Sequence, residues 1–100
     1  MVFVEREKIS MTQALIFVNC DTNNQETIRD HVSQIKGVLE VHMTTGIYDL
    51  ILKAETESEE KLREDVIRQI RKIGGIRSTT TMIVFKPDAA VPAAGDALVV

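Results

Sequence analysis

Six segments of regular hydrophobic spacing follow one another along the chain, and their order leaves few folds open. Residues 13–20 read QALIFVNC, a short and nearly continuous apolar run that is typical of a strand buried on both faces. Ile28, Val32 and Ile35 then recur at helical spacing. Gly37 follows at a position where helices commonly end. The first two segments therefore predict a strand followed by a helix.

The spacing changes from helical to alternating after Gly37. Residues 38–45, VLEVHMTT, alternate apolar and polar side chains, which indicates a half-buried strand. Gly46 is placed as a turn residue, and residues 47–54 form a second largely apolar run. Two strand-like runs joined this closely predict a hairpin.

A second helix and a last strand complete the series. Residues 56–60 are polar and acidic, which suits the N-terminus of a helix. Apolar residues at helical spacing follow, namely Leu62, Val66, Ile70 and Ile73. Gly74 and Gly75 are expected to end the helix, and residues 76–85 are rich in β-branched side chains, as strands are.

The resulting order is strand–helix–strand–strand–helix–strand. It predicts an α+β fold of ferredoxin-like topology, βαββαβ, with a four-stranded antiparallel sheet in the order 4-1-3-2 and both helices on one face. The first and third runs are the most continuously apolar, which suits central strands. Because those strands are apolar on both faces, the face without helices is predicted to pair with a second copy, as a sheet-to-sheet homodimer.

The length and charge of the chain narrow the classes of protein further. We expect one domain over residues 13–86, a lead-in over residues 1–12 and a flexible, Ala- and Pro-rich tail over residues 87–100. The formal net charge is −3 and the basic residues are dispersed, which disfavours direct binding to nucleic acid. We find neither a signal peptide nor an apolar run long enough to span a membrane, and we expect a cytoplasmic protein.

Residue types that often ligate metals or attack substrates are few and scattered. Cys20 is the single cysteine, and we expect it to be a packed small side chain because no pattern places a base beside it. His31 and His42 have no metal-ligand spacing and are expected to be exposed. We therefore expect no metal, no cofactor and no catalytic residue.

The stretch Gly46-Ile47-Tyr48-Asp49 is the most specific local feature. The predicted hairpin places Asp49 inside an apolar strand, where a carboxylate needs a partner. A ligand ammonium group would be one such partner. The alternative is that Asp49 bonds nearby turn amides, or a Lys or Arg of a neighbouring chain.

The run Ser78-Thr79-Thr80-Thr81 is the second candidate feature. Alternate residues of a strand share a face, so Thr79 and Thr81 are predicted to present their hydroxyls to one side. Together they would suit a carboxylate or an amino group. The alternative is an ordinary edge strand, in which threonine is favoured without any ligand.

At this point the residues resemble a known family. The segments QALIFVNCD, IKGVLEVHMTTGIYDLILKAE and IRKIGGIRSTTTMIVF are similar to the effector domain of the leucine-responsive regulatory protein/AsnC (Lrp/AsnC) family, called the RAM domain, for regulation of amino acid metabolism. The resemblance covers residues 13–86. Two landmarks carry it: Gly46 with Tyr48 and Asp49, and the segment GIRSTTT from Gly75.

The resemblance implies an amino acid or similar small effector, bound between dimers that assemble into larger oligomers. Gly46, Ile47, Tyr48 and Asp49 would line one side of the site, and Thr79 and Thr81 of another chain the other. Only residues 1–12 precede the first predicted strand, too few for the helix-turn-helix domain that full-length members carry there. We therefore expect an indirect role in transcription or metabolism, through partners that include full-length regulators. Two alternatives remain open: a small dimeric ferredoxin-like enzyme, and a ligand-free interaction module.

Overall fold

Four strands and two helices alternate along the chain in a computed structural model that describes residues 11–85 and 87–93. The strands are β1 (Thr12–Cys20), β2 (Val38–Met43), β3 (Leu50–Thr56) and β4 (Ile76–Ile83). Helix α1 spans Gln25–Val32 and follows a 3-10 turn over Thr22–Asn24. Helix α2 spans residues 59–71. The order of elements is the predicted one.

The strands form one antiparallel sheet in the order β2-β3-β1-β4. This is the predicted order 4-1-3-2 read from the opposite edge, and it confirms the ferredoxin-like topology. Ile16 at the centre of β1 lies between Leu52 of β3 and Thr81 of β4. The two most apolar runs of the sequence are therefore the two central strands.

The core lies between one face of the sheet and both helices. Alternate residues of β1 and β3 are buried, which is the period expected of side chains that share a strand face. They form one cluster with the apolar stripes of the helices. Its members are Ala14, Ile16, Val18, Cys20, Ile28, Val32, Leu50, Leu52, Ala54, Leu62, Val66 and Ile70. Both helices thus cover the same face, as predicted.

Helix α1 ends earlier than its apolar spacing predicts. Its last residue is Val32, whereas the sequence pattern extends to Ile35. The hydroxyl of Ser33 donates a hydrogen bond of 2.7 Å to the carbonyl oxygen of Asp30. Such a local side-chain bond competes with continuation of the helix. The chain leaves the helix in turns, and Ile35 still packs against the core.

Helix α2 is irregular in its middle. It begins as an α-helix over Glu59–Lys61, where the Ser58 side chain accepts a 3.1 Å hydrogen bond from the Lys61 amide. It is π-helical over Leu62–Ile67 and α-helical again over Arg68–Arg71. The Ser58 cap is a stabilising start of the kind that serine commonly provides. The predicted apolar positions Leu62, Val66 and Ile70 are buried.

The hairpin between β2 and β3 has a longer turn than predicted. Strand β2 ends at Met43 and β3 begins at Leu50, so residues 44–49 form the turn. The Thr44 hydroxyl donates to the Tyr48 carbonyl oxygen at 2.7 Å, and the Thr44 amide donates to the Asp49 carbonyl oxygen at 2.9 Å. The prediction that residues 47–49 continue the strand is wrong, because these bonds close a turn around them.

The ends of the chain lie largely outside the described residues. Of the predicted lead-in over residues 1–12, the first ten are not described, and β1 already begins at Thr12. Strand β4 ends at Ile83, two residues before the predicted end. Pro87–Ala89 form a 3-10 turn within the predicted tail, whose residues 94–100 are not described. Among the described residues, no helix has the length and apolar character needed to cross a membrane.

Candidate functional site

The turn over residues 44–49 is open to solvent. Ile47 is 82% exposed, and a Cβ added at Gly46 would meet no atom within 4 Å. The φ angle of Gly46 is +125°, a conformation that residues with side chains rarely adopt. Gly46 therefore gives the turn its shape and leaves space beside the backbone that a second molecule can occupy.

Asp49 anchors this turn to the end of β1. Its Oδ2 accepts a 2.8 Å hydrogen bond from the Cys20 amide, and its own amide donates to the Val18 carbonyl oxygen at 2.9 Å. The carboxylate thus bonds a backbone amide, although one of β1 and not of its own turn. Within the described residues Oδ1 receives no hydrogen bond, so one oxygen of the pair is still available.

Gln25 holds the same turn from the helix side. Its Nε2 donates to the carbonyl oxygen of Asp49 at 2.8 Å and lies 3.5 Å from that of Thr44. The sequence alone does not single out Gln25, because it lies in a polar stretch whose members all suit a helix start. Only the packing of α1 beside the hairpin shows which of them reaches the turn.

Tyr48 extends the site towards the sheet face that carries no helix. Its ring packs on that of Phe17 with centroids 5.1 Å apart and a 48° tilt. This tilted arrangement is favourable for aromatic pairs. Phe17 alternates with the buried residues of β1, so its side chain lies on the open face. The turn and the open face therefore share one aromatic pair.

Thr79 and Thr81 share a side of β4, as predicted. They pair with Val18 and Ile16, whose side chains are buried under the helices, so the two threonines lie on that side and are half-buried. Ser78 and Thr80 lie on the open face. The Ser78 hydroxyl accepts a 3.3 Å hydrogen bond from Asn19 Nδ2.

The two landmark segments meet at one end of the sheet, on either side of β1. Cys20 bonds Asp49 of the hairpin turn, and the next residue, Asp21, donates its amide to the Gly75 carbonyl oxygen at 2.9 Å. The Asp21 carboxylate also accepts a 3.0 Å hydrogen bond from Arg77 Nε. The end of β1 thus connects two segments that lie far apart in sequence.

Cys20, His31 and His42 are the remaining candidates for a nucleophile or a metal ligand. Burial, with the nearby Asp49 and Asp21 carboxylates, raises the pKa of the Cys20 thiol, which keeps it protonated. A protonated thiol is a poor nucleophile. His31 and His42 are exposed, and His42 bonds Glu40 at 2.9 Å, which lowers the pKa of that carboxyl. Over the described part of the chain, no three His, Cys, Asp or Glu side chains converge to hold a metal.

Comparison with known proteins decides the family. The model of the Lrp/AsnC ligand-binding domain matches residues 13–88. The chain belongs to the Lrp/AsnC family. This match includes β2 to β4, all but the first residue of β1, and both landmark segments.

Curated relatives place the Lrp/AsnC domain in two settings. A helix-turn-helix-type transcriptional regulator of Pyrococcus horikoshii is 34% identical in an alignment of 77 residues, which covers 74% of this chain and 51% of the relative. A homocitrate synthase of Saccharolobus islandicus is 39% identical in an alignment of 75 residues, which again covers 74% of this chain but only 16% of the enzyme. The chain thus spans about half the length of the matched regulators.

Solved structures agree with the fold. AsnC of Escherichia coli superposes with a TM-score of 0.74 at 21% identity, covering 93% of this chain and 62% of AsnC. A Neisseria meningitidis transcriptional regulator, crystallised as a complex with L-methionine, superposes with a TM-score of 0.69 at 20% identity, covering 92% of this chain and 62% of the regulator. At these identities the likeness shows a common fold.

Proposed function

We propose that this domain binds an amino acid at the turn over residues 44–49 and acts as a self-assembling regulatory module. The observation that carries the proposal is the meeting of both family landmarks at one end of the sheet, around Cys20 and Asp21. The Neisseria regulator with the same fold binds L-methionine, which supports an amino acid as the ligand class.

The turn offers groups that suit an amino acid. Oδ1 of Asp49 is free to accept from an ammonium group, while Oδ2 stays on the Cys20 amide. Gly46 leaves room beside the backbone, and Ile47 and Tyr48 supply apolar contact. Such a turn covers one side of a ligand only. A second chain would close the site, with the hydroxyls of its Thr79 and Thr81 directed to the ligand carboxylate.

The sheet face without helices would form the dimer, and the effector site would lie between dimers, because Thr79 and Thr81 lie on the other side of β4. The face without helices carries four apolar side chains, with Lys53 opposite Leu15: Leu15 and Phe17 on β1, Ile51 on β3 and Met82 on β4. An apolar patch across three strands is typical of an interface, and a second copy offers a patch of the same shape. A ligand held between copies favours the assembly that contains its site, which would link effector concentration to oligomeric state.

A thermal-unfolding screen against the twenty amino acids tests the proposal. A ligand present at about 100 times its dissociation constant should add about 2.7 kcal/mol to the free energy of unfolding. Asp49→Asn is the sharpest variant, because an amide oxygen can still accept from Cys20 while the negative charge is lost. We expect one or a few amino acids to raise the wild-type midpoint and Asp49→Asn to abolish the rise. If no amino acid raises the midpoint, the proposal fails for this ligand class.

The similarity to part of a homocitrate synthase favours a second setting for the domain. There it would serve an enzyme and not a DNA-binding regulator, again through ligand binding and not through catalysis of its own. Co-purification from the native cell distinguishes the two: the partner would be a metabolic enzyme in one case and a longer Lrp/AsnC member in the other. A ligand-free interaction module would co-purify with such partners but ignore all amino acids, and turnover of a substrate would indicate an enzyme.

A further inference from the structure

A cleft whose charged lining residues are all positive lies where α2 ends and β4 begins. It is open to solvent, has a volume of about 280 Å³ and is lined by Arg71, Ile76, Arg77, Ser78 and Thr79. Both charged side chains are guanidinium groups, and the two hydroxyls can donate hydrogen bonds. The lining is therefore rich in donors and contains no carboxylate.

Most of these donors are unused by the protein itself. Arg77 gives its Nε proton to Asp21, which leaves its terminal nitrogens free, and its side chain is 72% exposed. Arg71 makes no ion pair with any described residue. Because Ser78 accepts from Asn19, its own proton remains available. Strand β4 is also an edge strand, so alternate backbone amides point away from the sheet.

The charge around the cleft exceeds what the end of a helix requires. Arg68 and Arg71 in the last turn, and Lys72 beside it, face the negative end of the helix dipole and are explained by it in part. Arg77 belongs to β4 and is not explained in this way. Two cations, Arg71 and Arg77, thus line the cleft, and Arg77 is paired with the Asp21 carboxylate.

We propose that this basic cleft binds a small oxyanion of two or more charges, carried by a phosphate or a dicarboxylate. Two guanidinium groups provide forked donors that match such oxygens. The inference goes beyond the proposed amino-acid site, which it borders at Thr79. Arg71 belongs to the basic cleft alone, so substitutions there test it separately.

Ligand binding to the whole chain at constant ionic strength tests this inference. Inorganic phosphate and malonate are titrated into the wild type, with chloride as the reference salt, by thermal unfolding and calorimetry. Arg71→Gln removes a cleft donor, and Arg63→Gln removes an exposed cation of α2 outside the cleft. We expect saturable binding to the wild type, about tenfold weaker binding to Arg71→Gln and no change in Arg63→Gln.

Comparing the two anions distinguishes a phosphate ligand from a dicarboxylate ligand. A response to phosphate alone assigns a phosphate ligand, and a response to malonate alone assigns a dicarboxylate; either supports the basic cleft. If phosphate and malonate affect the wild type and Arg71→Gln equally, the effect is that of salt in general, and the proposal is overturned. Binding of duplex DNA through Arg71 with no response to either anion would also overturn it.

Two controls keep this result independent of folding and of the amino-acid site. Arg71→Lys keeps the positive charge but loses the forked donors of the guanidinium group, so it should bind the anion with intermediate affinity. It replaces Arg71→Gln as the test variant if Arg71→Gln fails to fold. Arg71→Gln should keep any amino-acid response, whereas Asp49→Asn should keep the anion response. In the wild type, a response to only one of the two ligand classes shows which proposal has failed.

Discussion

At the scale of single residues, Asp49 combines a structural bond with a free oxygen. Replacing it by alanine leaves the part-buried Cys20 amide without its acceptor, which should cost about 1–3 kcal/mol of unfolding free energy. Asp49→Asn retains an acceptor and should lose less than about 1 kcal/mol. Urea unfolding of the two variants measures the difference. Equal losses would mean that the negative charge, and not the hydrogen bond, stabilises the turn.

The raised pKa of the Cys20 thiol predicts how the free energy of unfolding changes in alkaline solution. Its pKa is raised in the folded chain from an ordinary value of 9.0, mainly by burial. The contribution of the protonated thiol is therefore fully present below about pH 9, and is lost as pH rises towards the folded pKa. The free energy of unfolding should fall more steeply above that pH in the wild type than in Cys20→Ala, in which no thiol titrates. Parallel curves for the two proteins would show that the thiol ionises equally in both states.

At the scale of elements, the hairpin turn depends on Gly46. Any side chain there is strained at a φ of +125°, even though the surrounding space is empty. Gly46→Ala should therefore cost about 1–3 kcal/mol. Gly74→Ala is the matched control, because Gly74 also faces open space but lacks a positive φ. It should change stability by less than about 1 kcal/mol. An equal loss of stability in both variants would mean that the positive φ of Gly46 is not the cause of the loss.

The elements differ in how well the sequence predicts them, and the reason is physical. Period-two and helical spacing come from burial of one face, so the sheet order and both helices follow from residues such as Ile16, Leu52 and Val66. Turn boundaries come from single hydrogen bonds that leave no period. Thr44 extends the hairpin turn and Ser33 ends α1 early, each through one side-chain hydrogen bond that the hydrophobic pattern does not encode.

The candidate site, too, is predictable from the sequence only in part. Its landmark segments are recognisable in sequence through their resemblance to the family, and the structure brings Gly75 and Asp49 to the same end of β1. The supporting contact from Gln25 and the basic cleft at Arg71 and Arg77 depend on how separate elements pack. No local spacing encodes such packing.

At the scale of the whole molecule, the open sheet face decides whether the domain works alone. Leu15 lies at the centre of this face, 36% exposed, between Lys53 on β3 and Met82 on β4. Leu15→Glu would place a carboxylate beside Lys53, which a monomer tolerates because opposite charges on neighbouring strands attract. In a sheet-to-sheet dimer the same carboxylate would be buried against apolar side chains at a large cost. The substitution therefore separates folding from assembly.

We expect the wild type to sediment as a dimer or larger species and Leu15→Glu to sediment as a folded monomer. Gln69→Glu adds the same charge on the exposed side of α2 and should leave assembly unchanged. A wild-type monomer, or an assembled Leu15→Glu, would contradict an interface on this face. If the amino-acid site is completed by a second copy, Leu15→Glu should also weaken effector binding although it leaves the turn at Gly46 intact. Retained affinity in that monomer would mean that one chain binds the effector alone, so ligand could not drive assembly by bridging copies.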